Sequence, residues 1–325
     1  MSRDCTIAIV SDIHYASAAE QARGNDYELA GITNPVLRAV FKAYRRFVWL
    51  PTPLNHNHLL DQFLAEVEEV QYAVALGDYS CNSAFIGVSD EAACQSAKEC
   101  LDKLRQKFGA NFQAVFGDHE LGKRSHLGGL GEMRMASWDC ARRKLGLQPF
   151  WRVELGNYVL LGVASSLVAL PVFAADTFPE ERPAWEQLRG EHLTEIRQAF
   201  GALKPAQRVL LFCHDPTALP FLWGEEVVRR KVLQIEQTLI GHLHSRLILW
   251  NSRRLAGMPT IRFLGHTARR MTAALHEARC WEPFNVRLCP SLAGIELLKD
   301  GGYYTAEFDA DARQRAQFRF HPLPR

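Results

Sequence analysis

Five short apolar runs in this chain each give way at once to an acid or a histidine. Thr6–Val10 is followed by Ser11-Asp12-Ile13-His14, and Tyr72–Leu76 by Gly77-Asp78-Tyr79. Ala114–Phe116 leads into Gly117-Asp118-His119-Glu120, Val209–Phe212 into Cys213-His214-Asp215, and Thr238–Ile240 into Gly241-His242-Leu243-His244. Carboxylates and imidazoles are the ligands that suit Mn, Fe or Zn. Taken singly, an Asp after a strand is more often a helix cap or turn residue, and a lone His more often a hydrogen-bonded or exposed one. Together they point to a metal centre. Asp12 and His14 stand two apart, as do His242 and His244, so in an extended segment each pair faces one side. An Asp from a separate strand could bridge two ions.

The elements that must position these residues follow from the same runs. They are strand length and mostly rich in β-branched or aromatic residues, and Tyr158–Val163 is a further one. Helical spacing lies between them at Leu59–Val70, Asp90–Phe108, Leu188–Leu203 and Gly224–Gln234. Strands alternating with helices predict an α/β layered core, in which sites form at the carboxyl ends of strands. There is no internal repeat or low-complexity tract. The Pro-rich connection Thr177–Pro183 does not force a boundary, so residues 1–325 read as one domain with additions near 31–53 and 246–290.

Asp12-Ile-His14, Gly77-Asp78-Tyr-Ser80, Gly117-Asp118-His119-Glu120, His214 and Gly241-His-Leu-His244 occur in an order that resembles the signature of the calcineurin-like metallophosphoesterases. The resemblance implies two mixed β-sheets packed as a sandwich and flanked by helices. It also implies two divalent ions, with Mn²⁺ the first expectation and Fe, Zn or Mg the others. One ion would be held by Asp12, His14, Asp78 and His244, the other by Asp78, Asp118, His214 and His242, with Asp78 bridging. His119 resembles the family's catalytic histidine, which contacts the phosphate or protonates the leaving oxygen, and Glu120 would stand behind the ligands. Two divalent ions about 3.5–4 Å apart clamp the attacking and leaving oxygens of an in-line displacement and lower the pKa of water. One departure stands out: Asp118 takes the place of the family's Asn. Three carboxylates would then face two ions, lowering the net charge from +2 to +1 (+4 − 3 against +4 − 2). Such a centre should hold metals more tightly and attract an anionic substrate less.

For the substrate, the clearest clue is Pro35–Leu50, where Arg38, Lys42, Arg45 and Arg46 fall among Val36, Leu37, Val40, Phe41, Tyr44, Phe47, Val48 and Trp49. It reads either as a basic, aromatic helix lying on a membrane surface or as an ordinary helix packing its apolar face on the core. Arg253, Arg254, Arg262, Arg269, Arg270 and Arg279 crowd the second addition, and Arg269 and Arg270, with Ser80, are the substrate-binding candidates. The basic amphipathic insertion, with Leu76–Ser83 and Leu210–Pro220, is similar to the chlamydial-type branch of the UDP-2,3-diacylglucosamine pyrophosphatases of lipid A biosynthesis. Those enzymes release lipid X and UMP. The competing readings are a soluble phosphodiesterase or phosphatase of the same superfamily, and a binding scaffold without turnover. Protein phosphatases are disfavoured, because Gly77-Asp78 lacks the Arg that follows in that branch, and a scaffold is disfavoured by the complete set of ligand types. His126 is a candidate pocket residue. His56, His58 and His266 read as structural, the first two as a polar helix cap.

The bulk properties fit this class. With 325 residues, 47% of them hydrophobic, the chain can bury a sizeable core, and a net charge of +2 argues against nucleic acid as a partner. No obligate protein partner is evident. Eight cysteines without a CxxC pair suit a reducing cytosol, with Cys81, Cys140 and Cys213 expected as free buried thiols. Met1–Cys5 leads straight into Thr6–Val10, which predicts no signal peptide, and no apolar stretch is long enough to span a bilayer. A cytoplasmic protein, peripheral on the inner membrane if Pro35–Leu50 binds lipid, is the expectation.

Overall fold

The structure, a computed structural model, describes residues 4–125, 129–261, 263 and 265–324, without the side chains of 4 and 265–267. It is an α/β fold of two mixed five-stranded sheets packed face to face between helices. The strands are β1 (Asp4–Val10), β2 (Tyr72–Ala75), β3 (Phe112–Ala114), β4 (Phe150–Leu155), β5 (Tyr158–Val163), β6 (Arg208–Cys213), β7 (Ile235–Ile240), β8 (Val286–Leu288), β9 (Gly302–Asp309) and β10 (Gln317–Pro322). The first sheet runs β10-β9-β1-β2-β3 and the second β4-β5-β6-β7-β8. β1, β2 and β3 are parallel to one another, as are β5 to β8. β9 and β4 join antiparallel to β1 and β5.

Alternation along each strand divides its side chains between two cores. Ile7 and Ile9 of β1 meet Leu160 of β5 and Leu210 and Phe212 of β6 between the sheets. Their neighbours Ala8 and Val10 face outward against Leu59, Leu60 and Phe63 of the Asn57–Glu66 helix and Leu101 and Leu104 of the Glu91–Phe108 helix. On the opposite side, Leu161, Val209 and Leu211 pack on Leu193, Ile196 and Phe200 of the Arg182–Gly201 helix. Trp281 and Phe284 are buried in that same outer core.

Several sequence expectations shift. The Glu91–Phe108 helix starts where Asp90 caps the Ala93 N–H at 3.1 Å and stops at Gly109. The Arg182–Gly201 helix begins inside the Pro-rich connection, because Pro183 fits a first helical turn, which lacks N–H partners anyway. Gly224–Gln234 breaks into a short helix, Glu226–Lys231, and a 3₁₀ turn, Val232–Gln234. The segment 246–290 is more than an addition, since its tail supplies β8, the edge of the second sheet. Cys81 and Cys213 are buried, whereas Cys140 is half-buried with its Sγ 3.1 Å from that of Cys94.

The Pro35–Phe47 helix begins where the Asn34 side chain accepts from the Val36 and Leu37 N–H groups, and it carries Arg45 and Arg46 at its negative end. Its apolar stripe does not enter the core: Val36, Val40 and Phe47 are 71%, 56% and 64% exposed. No helix among the described residues is long and apolar enough to cross a membrane.

Candidate metal centre

The parallel strands β1, β2, β3, β6 and β7 end on one rim of the sandwich, and each hands over to a loop carrying a predicted ligand. Two four-residue groups form there: Asp12, His14, Asp78 and His244, and Asp78, Asp118, His214 and His242. Within each group the ligand atoms lie within 4.8 Å of one another, and Asp78 is common to both.

The backbone achieves this differently from the extended pairs expected. Asp12, His14, Asp78, His242 and His244 all have φ between 48° and 59°, the left-handed region that side chains with a Cβ rarely adopt. Each such residue curls the chain so that successive side chains turn inward. Strain of this kind persists only where the surroundings hold it, and it clusters at functional sites. Here the surroundings are specific: the His14 N–H donates to Asp78 O at 3.0 Å, the Asp12 N–H to Gly77 O at 3.2 Å, and the His242 N–H to both Asp12 carboxylate oxygens at 3.1 Å. Glu120 is the second brace. Its carboxylate accepts from the Gly117, Asp78 and Tyr79 N–H groups at 2.8, 3.0 and 2.8 Å. Burial, with the nearby Asp78, pushes Glu120 up to about 8 against these donors. Gly117 is required at its place, because a Cβ there would lie 2.2 Å from Asp78 Oδ1 and 2.3 Å from the Asp78 nitrogen.

Charge and tautomer show what the groups can hold. His214 Nδ1 faces only the Leu76 carbonyl, at 2.7 Å, so that nitrogen donates and Nε2 is left bare. That Nε2 sits 3.0 Å from Asp118 Oδ1 and 3.3 Å from Asp78 Oδ2. A bare imidazole nitrogen against two carboxylates needs a cation between them, a proton or a metal. Burial opposes the proton, yet Asp78 and Asp118 hold the His214 pKa well above the usual histidine value. Asp78 remains ionised: burial and Asp118 oppose it, but His119 and His214 keep its pKa below the usual carboxylate range. Asp78 Oδ2 is buried without a hydrogen bond. His14 and His244 bring their Nε2 atoms to 3.3 Å, and burial lowers His14 to about 4 and His244 further below its normal value, leaving neutral rings as metal ligation requires. Mixed carboxylate and imidazole donors of this kind fit divalent Mn, Fe or Zn.

His119 lies beside the groups rather than in either. Its Nδ1 is fixed on Ser80 O at 2.9 Å, and its Nε2 is 3.7 Å from Asp78 Oδ2. The same carbonyl faces His14 Nδ1 at 3.4 Å. Ser80 therefore contributes its backbone, while its hydroxyl is buried. Asp215, to which no role was given, sits 3.7 Å from His242 Nε2 and caps the Thr217 N–H at 2.8 Å.

A cavity of about 280 Å³ opens from His14, His119 and His244. Its walls are apolar, formed by Leu29, Ile32, Phe41, Trp49, Leu50 and Phe85 among others, and its cations are Arg45 and Lys123. Trp49 lies against His244 in a tilted contact, with ring centroids 4.7 Å apart. Arg269 is exposed on the Gly265–Glu277 helix, and Arg270 pairs with Asp176 at 2.6 Å over the Phe173 ring; neither lines this cavity. Arg253 donates to the Val286 carbonyl at 2.6 Å and Arg254 lies over Trp250. His126 and Arg262 lie outside the described residues, as does the side chain of His266. His56 takes the N-cap position without a side-chain cap bond, and His58 lies inside the helix it was expected to precede.

No known protein family matches the chain, and no curated protein does. Among solved structures it is similar to the phosphopantetheinyl hydrolase from Mycobacterium tuberculosis, at 15% identity and a TM-score of 0.36, over 75% of this chain and 84% of that one. It is also similar to a conserved predicted phosphoesterase from Streptococcus pneumoniae TIGR4, at 10% identity and a TM-score of 0.28, over 99% of this chain and 100% of that one. Likenesses this distant leave the chemistry to be read from the site itself.

Proposed function

We propose that this chain is a dinuclear metal-dependent hydrolase of the calcineurin-like metallophosphoesterase kind, cleaving a phosphoester or pyrophosphate bond. Its substrate, in this reading, is UDP-2,3-diacylglucosamine, with lipid X and UMP as products. The observation that carries the proposal is the joining of two metal-binding groups to an apolar cavity at His14, His119 and His244. Two ions, Mn²⁺ first among them, would supply the positive charge for a phosphoryl centre.

The chain's own residues divide the remaining work. Asp78 and the strand-end ligands would hold the cations. His119, fixed through Nδ1 on Ser80, presents Nε2 beside the centre, where as the imidazolium it would donate to a phosphoryl oxygen or pass its Nε2 proton to the leaving oxygen, returning to the neutral ring that burial favours. Leu29, Ile32, Phe41 and Phe85 offer apolar surface to an acyl chain. The exposed stripe of the Pro35–Phe47 helix would meet the cytoplasmic face of the inner membrane, where such a lipid resides.

Product analysis with UDP-2,3-diacylglucosamine and Mn²⁺ tests the reading. Formation of lipid X and UMP, lost in H119A, is the expected result. Turnover of bis-p-nitrophenyl phosphate with none of the lipid nucleotide would favour the alternative, a soluble phosphodiesterase acting on a nucleotide or other small phosphoester.

A further inference from the structure

The two metal-binding groups contain three carboxylates, Asp12, Asp78 and Asp118, and their oxygens do not face the same way. Asp118 Oδ1 points into the centre, 3.0 Å from His214 Nε2 and 3.1 Å from His242 Nδ1. Asp118 Oδ2 points out of it, and the Lys123 ammonium stands 3.1 Å away. That contact is set by the local chain. The Asp118–Leu121 helix is a single turn, ended by Gly122 at φ +91°. A Cβ on Gly122 would lie 2.4 Å from the Glu132 carbonyl, so only glycine turns here. The turn brings Lys123, whose N–H is held by Phe85 O at 3.2 Å, back over Asp118. The Lys123 side chain is 24% exposed and lines the apolar cavity at its junction with the centre.

We propose that Lys123 is a positioning residue that makes Asp118 act as a neutral, one-oxygen donor. The ammonium occupies Oδ2, so Asp118 offers the centre Oδ1 alone. It also cancels one negative charge: two divalent ions with three carboxylates carry +1 (+4 − 3), and with Lys123 they carry +2 (+4 − 3 + 1). The restored positive charge faces the cavity through which an anionic phosphate would enter, beside His14, His119 and His244. Asp78 and Glu28 are the other carboxylates acting on Lys123, and neither stands at ion-pair distance from it in the structure, so its charge is directed chiefly at Asp118. The inference rests on the metal-centre reading and deepens it, since it says how the centre tolerates a third carboxylate while still attracting an anion.

The test is Mn²⁺ binding to the metal-free protein, measured by titration calorimetry at fixed pH with Mn²⁺ alone. K123M removes a cation from beside the ions, so it should bind Mn²⁺ roughly tenfold more tightly. D118N removes a carboxylate and leaves the ammonium, so it should bind roughly tenfold more weakly. D118N/K123M should return close to wild type, and K123R, which keeps the charge, should stay within about threefold of it. With bis-p-nitrophenyl phosphate, K123M should raise KM more than it lowers kcat. The sign separates this role from a structural one, because loosening the site would weaken Mn²⁺ binding. Unchanged or weaker binding in K123M overturns the proposal, as does a double variant no closer to wild type than D118N. Failure of the metal centre itself is told apart by D78A. If D78A binds Mn²⁺ like wild type, the centre is misassigned; if D78A loses binding while K123M leaves it unchanged, only the role of Lys123 falls.

Discussion

The floor and the wall of the site are built on opposite principles. The floor is polar, buried and fixed by strand ends: five left-handed ligand residues are braced by backbone donors and by Glu120. The wall is apolar and comes largely from the segment around the Pro35–Phe47 helix, which leaves Val36, Val40 and Phe47 in solvent. Left-handed backbone recurs at five ligands of the floor, where positions must be accurate to fractions of an ångström, and in the wall at Asn82 and Phe85. The wall needs only shape and apolar area. Reaction type and substrate choice are therefore carried by separable parts of the chain, and variants should divide along the same line.

The largest effect belongs to the floor. Asp78 is shared by both groups, so Asp78→Ala should remove Mn²⁺ binding at both positions and reduce turnover of every phosphoester by more than about a thousandfold. In a melting experiment, Mn²⁺ should raise the Tm of the wild type and leave that of D78A unmoved, because only a bound ion stabilises the folded state. A D78A protein that still gains stability from Mn²⁺ would place the ions elsewhere.

Gly117→Ala comes next. It adds no charge and removes no ligand, but its Cβ would overlap Asp78 Oδ1 and the Asp78 nitrogen. Overpacking of this kind costs about 1–3 kcal/mol, and here the strain displaces the shared carboxylate. Loss of Mn²⁺ affinity together with a lowered Tm is the expected pair of results. If stability falls while Mn²⁺ binding survives, the floor is more compliant than its backbone suggests.

The floor was also the part most legible in the sequence. Asp12, His14, Asp78, Asp118, His214, His242 and His244 each follow an apolar run, and strand ends on one rim of an open parallel array converge whatever their spacing in the chain. The conformation of those ligands was not legible, because positive φ at Asp or His leaves no mark that glycine would leave. Glu120 could be placed near the ligands, but its grip on three backbone N–H groups depends on β2 and β3 lying side by side. Lys123 was overlooked among the chain's many cations, and Arg45 was read only as part of a basic amphipathic helix; the same abundance drew attention to Arg269 and Arg270, which the fold keeps from the cavity lining. Strand β10 escaped for a different reason. β10 is an edge strand whose residues are half-buried or exposed, so it offers no apolar run.

Wall variants should spare the floor. Phe41 lines the cavity without being among the residues of either metal group, so Phe41→Ala should leave Mn²⁺ binding and bis-p-nitrophenyl phosphate turnover within about twofold. On a diacylated nucleotide it should lower kcat/KM about tenfold, in line with roughly 1.5–3 kcal/mol for burying a large apolar side chain. Equal losses on both substrates would mean that wall and floor are coupled.

The smallest effect on soluble chemistry, and the sharpest on location, is expected from the outer face of the same helix. Val36, Val40, Tyr44 and Phe47 recur at helical spacing and are all exposed, flanked by Arg38, Lys42 and Arg46. An apolar stripe edged with cations is the pattern of a helix lying in a lipid interface, where apolar burial and attraction to anionic headgroups act together. A charge on the stripe opposes the first term and leaves the helix caps at Asn34 and Val48 in place. V36D/V40D/F47D should therefore keep its Tm within a few degrees, its Mn²⁺ binding, and its rate on bis-p-nitrophenyl phosphate. Co-sedimentation with vesicles containing phosphatidylglycerol should fall to background, and wild-type binding should weaken as salt screens the headgroups. If the wild type fails to sediment even at low salt, the stripe serves something other than a membrane, and the wall would then have to take its substrate from solution.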